Sequence, residues 1–269
     1  MAYNLLKGKK GIIFGALDDR SIAWKVAEKC HDEGAEFILT NAPVALRMGT
    51  INALAEKVGA TIVPADVTVM EDLELLINTA KEKYGKVDFI LHSVGMSPNV
   101  RKGRTYEDLN YDFFHKTLDI SAMSLHRLLQ TCMKADAISE WGSVVALTYI
   151  AAQRTYPGYG DMADAKAMLE SIARSFGYHY GYAKKVRVNT ISQSPTVTTA
   201  GSGVAGFEDF IGNADRRSPL GNASAEECAE YCVTLFSDLT RKVTMQNLFH
   251  DGGYSSVGEG PEGWGGNES

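Results

Sequence analysis

Tyr159 and Lys166 stand seven residues apart in TYIAAQRTYPGYGDMADAKAMLE (148–170). Seven helical residues turn through about 700°, within about 20° of two full turns. A helix would therefore put both side chains on one face, about 10 Å apart along its axis, with the long lysine reaching back toward the tyrosine. A phenol with a reference pKa of about 10 is a poor acid-base group near neutrality. A neighbouring ammonium lowers that value and makes the group useful. By itself the pair is also what a helix surface carries by chance, and Tyr149, Tyr156 and Tyr159 read equally well as core and rim aromatics.

A second candidate chemistry sits near the start of the chain. Gly15 ends the apolar run GIIFG, and ALDDR then leads to Ser21-Ile22-Ala23. Glycine at such a place lets the backbone approach a pyrophosphate seated on the next helix N-terminus. The usual G-x-G-x-x-G is absent, so this segment alone does not separate a dinucleotide loop from a plain strand-to-helix turn. Three further strand ends carry suitable residues: Thr40-Asn41-Ala42, Ala65-Asp66-Val67 and His92-Ser93-Val94-Gly95. The carboxylate of Asp66 falls where an adenine amino group would lie. Ligands of an open α/β sheet bind at these carboxyl ends.

The elements that must position these residues alternate along the chain. Short apolar runs at 11–17, 35–40, 60–65, 87–92, 142–149, 185–192 and 245–253 read as strands. Amphipathic stretches at 21–34, 44–58, 69–85, 107–136, 160–182 and 224–237 read as helices, with Gly34 and Gly59 as C-caps. A loop-rich stretch fills 193–223. This alternation predicts an α/β fold: a single Rossmann-type doubly wound domain over 1–256, with a seven-stranded parallel sheet and helices on both faces. Residues 257–269, VGEGPEGWGGNES, read as a flexible tail.

The 269 residues are 45% hydrophobic and 22% charged, which excludes a disordered or collagen-like chain. A net charge of -6 argues against non-specific binding to nucleic acid or an acidic membrane. No signal peptide opens the chain, and no apolar run approaches the ~18 residues of a membrane span. A cytoplasmic protein with reduced thiols is expected. Cys228 and Cys232 stand four apart without a His or Cys partner at ligand spacing, so they read as small buried hydrophobes, and no metal site is expected.

Taken together, these segments resemble the bacterial enoyl-acyl-carrier-protein reductases, the divergent branch of the short-chain dehydrogenase/reductase family. Y-x-x-x-K, typical of that family, fails because Met162 stands four before Lys166. The divergent Y-x6-K is matched by Tyr159 and Lys166, with Tyr149 as its second tyrosine. G-x5-S-I-A is matched by Gly15 and Ser21 to Ala23, H-S-[IV]-G by His92 to Gly95, VRVN-x-IS by Val186 to Ser192, and DGG by Asp251 to Gly253. The match runs in register over about 6–255.

The resemblance implies reduction of the trans-2 double bond of an enoyl thioester, the last step of the fatty-acid elongation cycle. Tyr159 would hydrogen-bond the thioester oxygen, Lys166 would hold the nicotinamide ribose, and Tyr149 would line the acyl pocket. Gly15, Ser21, Ile22, Ala42, Asp66, Val67, Ser93, Val94 and Gly95 would contact the dinucleotide. Thr196, Val197, Thr198, Thr199 and Ala200 would lie against its nicotinamide and phosphates. Ser97 and Phe207 would border the substrate beneath a lid over about 196–214. An acyl carrier protein would deliver the substrate, and the family's assembly would be a homotetramer.

The chain departs from the family at Gln193-Ser194, where small residues are usual, and on the lid, where Glu208 and Asp209 replace cations that meet the acidic carrier. Arg216 and Arg217 offer compensation further along. Strand two ends without a carboxylate, and only Arg47 lies near enough to meet a 2′-phosphate, with Lys57 beyond it. NADH is therefore expected over NADPH. A short-chain carbonyl reductase or a non-catalytic dinucleotide sensor are the alternative readings.

Overall fold

A computed structural model describes residues 2–198 and 207–258. Seven parallel strands form one sheet in the order β3-β2-β1-β4-β5-β6-β7. They are β1 (Lys10–Phe14), β2 (Glu36–Thr40), β3 (Thr61–Ile62), β4 (Val87–His92), β5 (Ile138–Thr148), β6 (Arg187–Gln193) and β7 (Asn247–His250). Order reverses beside β1, which pairs with both β2 and β4 in register from Gly11 to Phe14. A doubly wound sheet opens its ligand crevice at that reversal.

Side chains alternate across β1. Ile12 and Phe14 enter one core with Leu73, Leu76 and Ile77 of α4 (Met70–Tyr84) and Leu169 of α8 (Gly160–Lys184). Ile13 enters the other with Val26 of α1 (Ile22–Asp32) and Leu54 of α3 (Ile51–Val58). Cys228 and Cys232 of α10 (Ala225–Phe236) lie in this second core with Cys30, and all four cysteines are free and buried.

The expected helix 44–58 is two helices, α2 (Pro43–Met48) and α3. Gly49 breaks it because the chain passes the loop after β1: a Cβ there would stand 2.4 Å from the Leu17 carbonyl oxygen. The Thr50 amide donates to that same oxygen at 2.9 Å. β3 is shorter than expected. Val63 and Ala65 still donate to Leu39 and Asn41, but Pro64 between them has no N–H, which only an edge strand tolerates.

The helical stretch 107–136 is likewise interrupted. A π-helical turn, Asp119–Met123, joins α6 (Tyr111–Leu118) to α7 (Ser124–Lys134). A short α5 (Pro98–Arg101) precedes them. The stretch 193–223 is not all loop: α9 covers Phe207–Arg217. Of the expected lid, 199–206 lie outside the described residues, as do 259–269 of the expected tail. Val257 accepts from Arg217 at 3.2 Å.

Candidate active site

The carboxyl ends of β1 and β4 nearly touch. Gly15 has φ of +96°, and a Cβ would stand 2.0 Å from the Ser93 carbonyl oxygen, so no other residue fits. Ser21 occupies the N-cap of α1 without capping it: its hydroxyl donates to the Asp18 carbonyl at 2.6 Å and accepts from the Leu17 amide at 3.2 Å. No acidic residue fills the first turn. An uncapped helix N-terminus beside a glycine turn fits an anionic pyrophosphate. Around the crevice, Asn41 donates to the Ala16 carbonyl at 3.0 Å and accepts from the Ala42 amide at 2.9 Å. Asp66 Oδ1 accepts from the Thr68 amide and hydroxyl at 2.9 and 2.7 Å. The Val67 side chain is buried in the core.

A cavity of about 250 Å³ opens beyond these ends. Ile22, Ser93, Val94 and Gly95 line it together with Tyr149, Tyr159, Lys166, Thr196 and Thr198, and a Cβ at Gly95 would stand 3.5 Å from Lys166 Nζ. Lys166 is buried, and its Nζ donates to the Leu147 carbonyl at 2.8 Å. Burial drives its pKa down to about 8, opposed by the carboxylate of Glu170 one turn further along α8. Glu170 is itself buried, accepting from Thr148 at 2.9 Å, Asn247 at 3.2 Å and Gln153 at 3.0 Å. His92, beneath the site, is held neutral: burial and then the Lys166 charge push it to about 3, and its Nε2 lies 2.9 Å from the Ser124 hydroxyl.

Tyr159 and Lys166 reach one cavity, though not by sharing a helix face. Tyr159 closes a 3-10 turn, Pro157–Tyr159, and Gly160, at φ of +45°, turns the chain before α8 runs on. Nor does the lysine acidify the tyrosine. Burial dominates and pushes the Tyr159 hydroxyl well above its usual value, so it is a protonated donor. Its ring packs 5.0 Å from Tyr149, which lies 5.4 Å from Tyr156, itself 5.9 Å from Phe210 of α9. The Tyr156 hydroxyl donates to the Tyr254 hydroxyl at 2.7 Å, and Asn213 of α9 donates to that Tyr254 hydroxyl at 3.1 Å.

Ser97 lines the cavity, but its hydroxyl is committed to Asp161 Oδ1 at 2.6 Å and accepts from the Val100 amide at 3.0 Å. Asp161 Oδ2 also accepts from Asn99 at 2.7 Å and Thr117 at 2.9 Å. This buried carboxylate ties the start of α5 and α6 to the first turn after Tyr159. Val197 is exposed beside Thr196. Thr199 and Ala200 lie outside the described residues, as does the side chain of Phe207; Phe210 lines the cavity from the same helix.

The departure at Gln193-Ser194 has a structural role. Gln193 donates to the Ala223 carbonyl at 3.1 Å and to Thr196 at 3.2 Å, and its Oε1 lies 2.7 Å from His250 Nδ1. Ser194 accepts from the Ala223 amide at 3.1 Å. The longer side chain thus braces the cavity edge against 222–224. Sequence reasoning did not find Asp161, Glu170, Gln153 or Asn247, because their partners come from distant segments. The one available signal was Glu170 at i+4 from Lys166, a neighbour on the same helix face.

A family model described as "Enoyl-(Acyl carrier protein) reductase" matches residues 15–255. An NADH enoyl-acyl-carrier-protein reductase of Rhizobium meliloti (strain 1021) is 34% identical over 260 residues, 96% of this chain and 94% of the relative. The solved FabI–NADH complex from Alistipes finegoldii is 66% identical with a TM-score of 0.96, over 99% of this chain and 94% of that one. The NADH enoyl-acyl-carrier-protein reductase of Aquifex aeolicus VF5 is 31% identical with a TM-score of 0.88, over 95% and 99%.

Proposed function

We infer the reaction from the family: the chain belongs to the enoyl-acyl-carrier-protein reductases, and it reduces the trans-2 double bond of an enoyl thioester on its carrier with NADH. One observation carries the assignment of roles within this chain, namely the single cavity lined by Ser93 to Gly95, Lys166, Tyr149 and Tyr159.

The open N-terminus of α1, with Gly15, Ser21 and Ile22, would hold the pyrophosphate, and Ala42, Asp66 and Val67 the adenosine end. Ser93, Val94, Gly95 and Thr196 to Thr198 would border the nicotinamide half, and Lys166 would hold the ribose hydroxyls. When bound, NADH supplies the hydride that adds to carbon 3 of the enoyl group. The chain's own task is to receive the charge that then gathers on the thioester oxygen. Tyr159 suits it, because a half-buried hydroxyl that keeps its proton is a fixed donor beside a water-poor cavity wall. The Lys166 ammonium adds positive charge without having to carry a proton away. Leu147, Met162 and Phe210 in the cavity wall exclude water, which strengthens both interactions.

The catalytic unit is residues 1–256, and its working form is a homotetramer in the cytoplasm. Tyr178 and Tyr182 of α8 support the assembly, being 52% and 76% exposed with rings 4.9 Å apart on a face that a second copy would cover. Four free thiols suit a reducing compartment. Among the described residues no helix is long and apolar enough to cross a membrane. Crotonyl thioester added to enzyme and NADH should remove the absorbance of the reduced nicotinamide; no loss with any carrier-bound enoyl thioester refutes the reading.

A further inference from the structure

The thioester arrives on a phosphopantetheine arm, whose phosphodiester is an anion, attached to an acidic protein. The surface receiving it must offer cations beside the cavity mouth. α9 is poorly equipped. Among its described residues, Asp209 and Asp215 are exposed against one exposed cation, Arg216, while half-buried Arg217 lies 5.2 Å from the Tyr254 ring and donates to the Val257 carbonyl.

The opposite lip differs. α5 and the turn after it read NVRKGR, three cations in six residues with no acid among them. Arg104 is bound to Asp108 at 2.9 Å. Arg101 and Lys102 are exposed, and among the described residues no ion pair holds either one. Arg101 lines the cavity itself, and the Lys102 ammonium lies 5.4 Å from the Phe113 ring. The lip is also rigid. Buried Asn99 donates to Asp161 at 2.7 Å and to the Asn110 carbonyl at 3.1 Å, and accepts from the Asn110 amide at 3.0 Å. Gly103, at φ of +64°, allows the turn that ends it. Cations on a pre-ordered backbone lose less freedom on binding than the same cations on a loose loop.

We propose that the acidic carrier protein docks on the α5 lip, through Arg101 and Lys102, and not on the outer face of α9. The inference rests on the reductase reading above, since only that reaction requires a carrier. Exposed charges at the rim of an interface act on encounter and its salt dependence.

The test compares crotonyl-carrier protein with crotonyl-N-acetylcysteamine, a thioester with neither phosphate nor protein. In Lys102→Glu and in Arg101→Glu, the ratio of kcat/KM for the carrier substrate to that for the small thioester should fall about fivefold to tenfold at low ionic strength. The fall should shrink as salt passes ~0.15 M. The paired reversal Arg216→Glu with Arg217→Glu should move the ratio less. A ratio within twofold of wild type for both lip variants, or a larger fall in the α9 variant, overturns the proposal. Loss of NADH oxidation by wild type with both thioesters would instead remove the reductase reading on which the proposal stands.

Discussion

Glu170→Gln isolates a charge that sits one helical turn from Lys166. The substitution keeps the side chain's shape. Its amide oxygen can still accept from Thr148 and Asn247, but its NH₂ then faces the Gln153 amide, donor against donor, where Oε2 accepted at 3.0 Å. One buried unmatched donor costs about 1–3 kcal/mol, an upper bound here because exposed Gln153 can turn its amide oxygen to accept, so the melting temperature should fall by a few degrees at most. A second effect is electrostatic. Burial already holds Lys166 near 8, and the Glu170 charge opposes further fall. A nearby opposite charge is worth roughly one pKa unit or more. At pH 7.5, a fall from about 8 to about 7 takes the ammonium fraction from roughly three quarters to one quarter. The basic limb of kcat/KM against pH should therefore move toward acid by about one unit, and NADH affinity at pH 7.5 should weaken about threefold. The assay is NADH oxidation across pH 6–9.5 with fluorescence titration of NADH at the same points. A lowered melting temperature with an unmoved basic limb would refute the electrostatic half of the reasoning and leave Glu170 a packing residue.

Tyr159→Phe should lower turnover by ~10²-fold or more while leaving NADH affinity nearly unchanged, as steady-state kinetics and titration would show; full turnover on a carrier-bound substrate contradicts its role. Lys166→Met should weaken NADH binding yet raise the melting temperature of the free enzyme at pH 7. In the wild type a lysine with an ordinary value near 10.5 unfolded and about 8 folded binds fewer protons when folded, so the cost is complete below pH 8 and fades as pH rises to 10.5. Melting curves of both proteins from pH 7 to 10 should converge; parallel curves contradict the assignment. NADH should exceed NADPH in kcat/KM, because Lys57 is paired with Glu28 at 2.7 Å and residues 41–55 after β2 carry a single cation, Arg47, whereas a ratio favouring NADPH would identify Arg47 as a phosphate ligand.

The strand cores and their order of appearance were readable because buried parallel strands are continuous apolar runs, and all seven are present. What escaped was set by contacts between distant segments. Gly49 looks like any helix residue until the Leu17 carbonyl lies 2.4 Å from its missing Cβ. The helix start at residue 160 was readable, but the 3-10 turn of Pro157–Tyr159 and the positive φ of Gly160 that set Tyr159 off the helix face were not, although the spacing to Lys166 still delivered both to one cavity. The tyrosine's acidity was misjudged for a related reason, since the packing that desolvates it comes in part from Tyr149 and Val100, which lie on other elements. Gln193 was visible as a departure, but its partners at Ala223 and His250 were not.

Tyr254 lies fifteen residues from the end of the 269-residue chain, and its hydroxyl joins Tyr156 beside the cavity to Asn213 on α9. Synthesis runs from the other end, and domains fold as their residues emerge. A nascent chain can therefore assemble β1 to β6 and both tyrosines of the cavity wall while the fastening of α9 is still unmade. The bonds that fasten α9 to the cavity wall therefore wait on residues that follow β7, the last strand in the sequence.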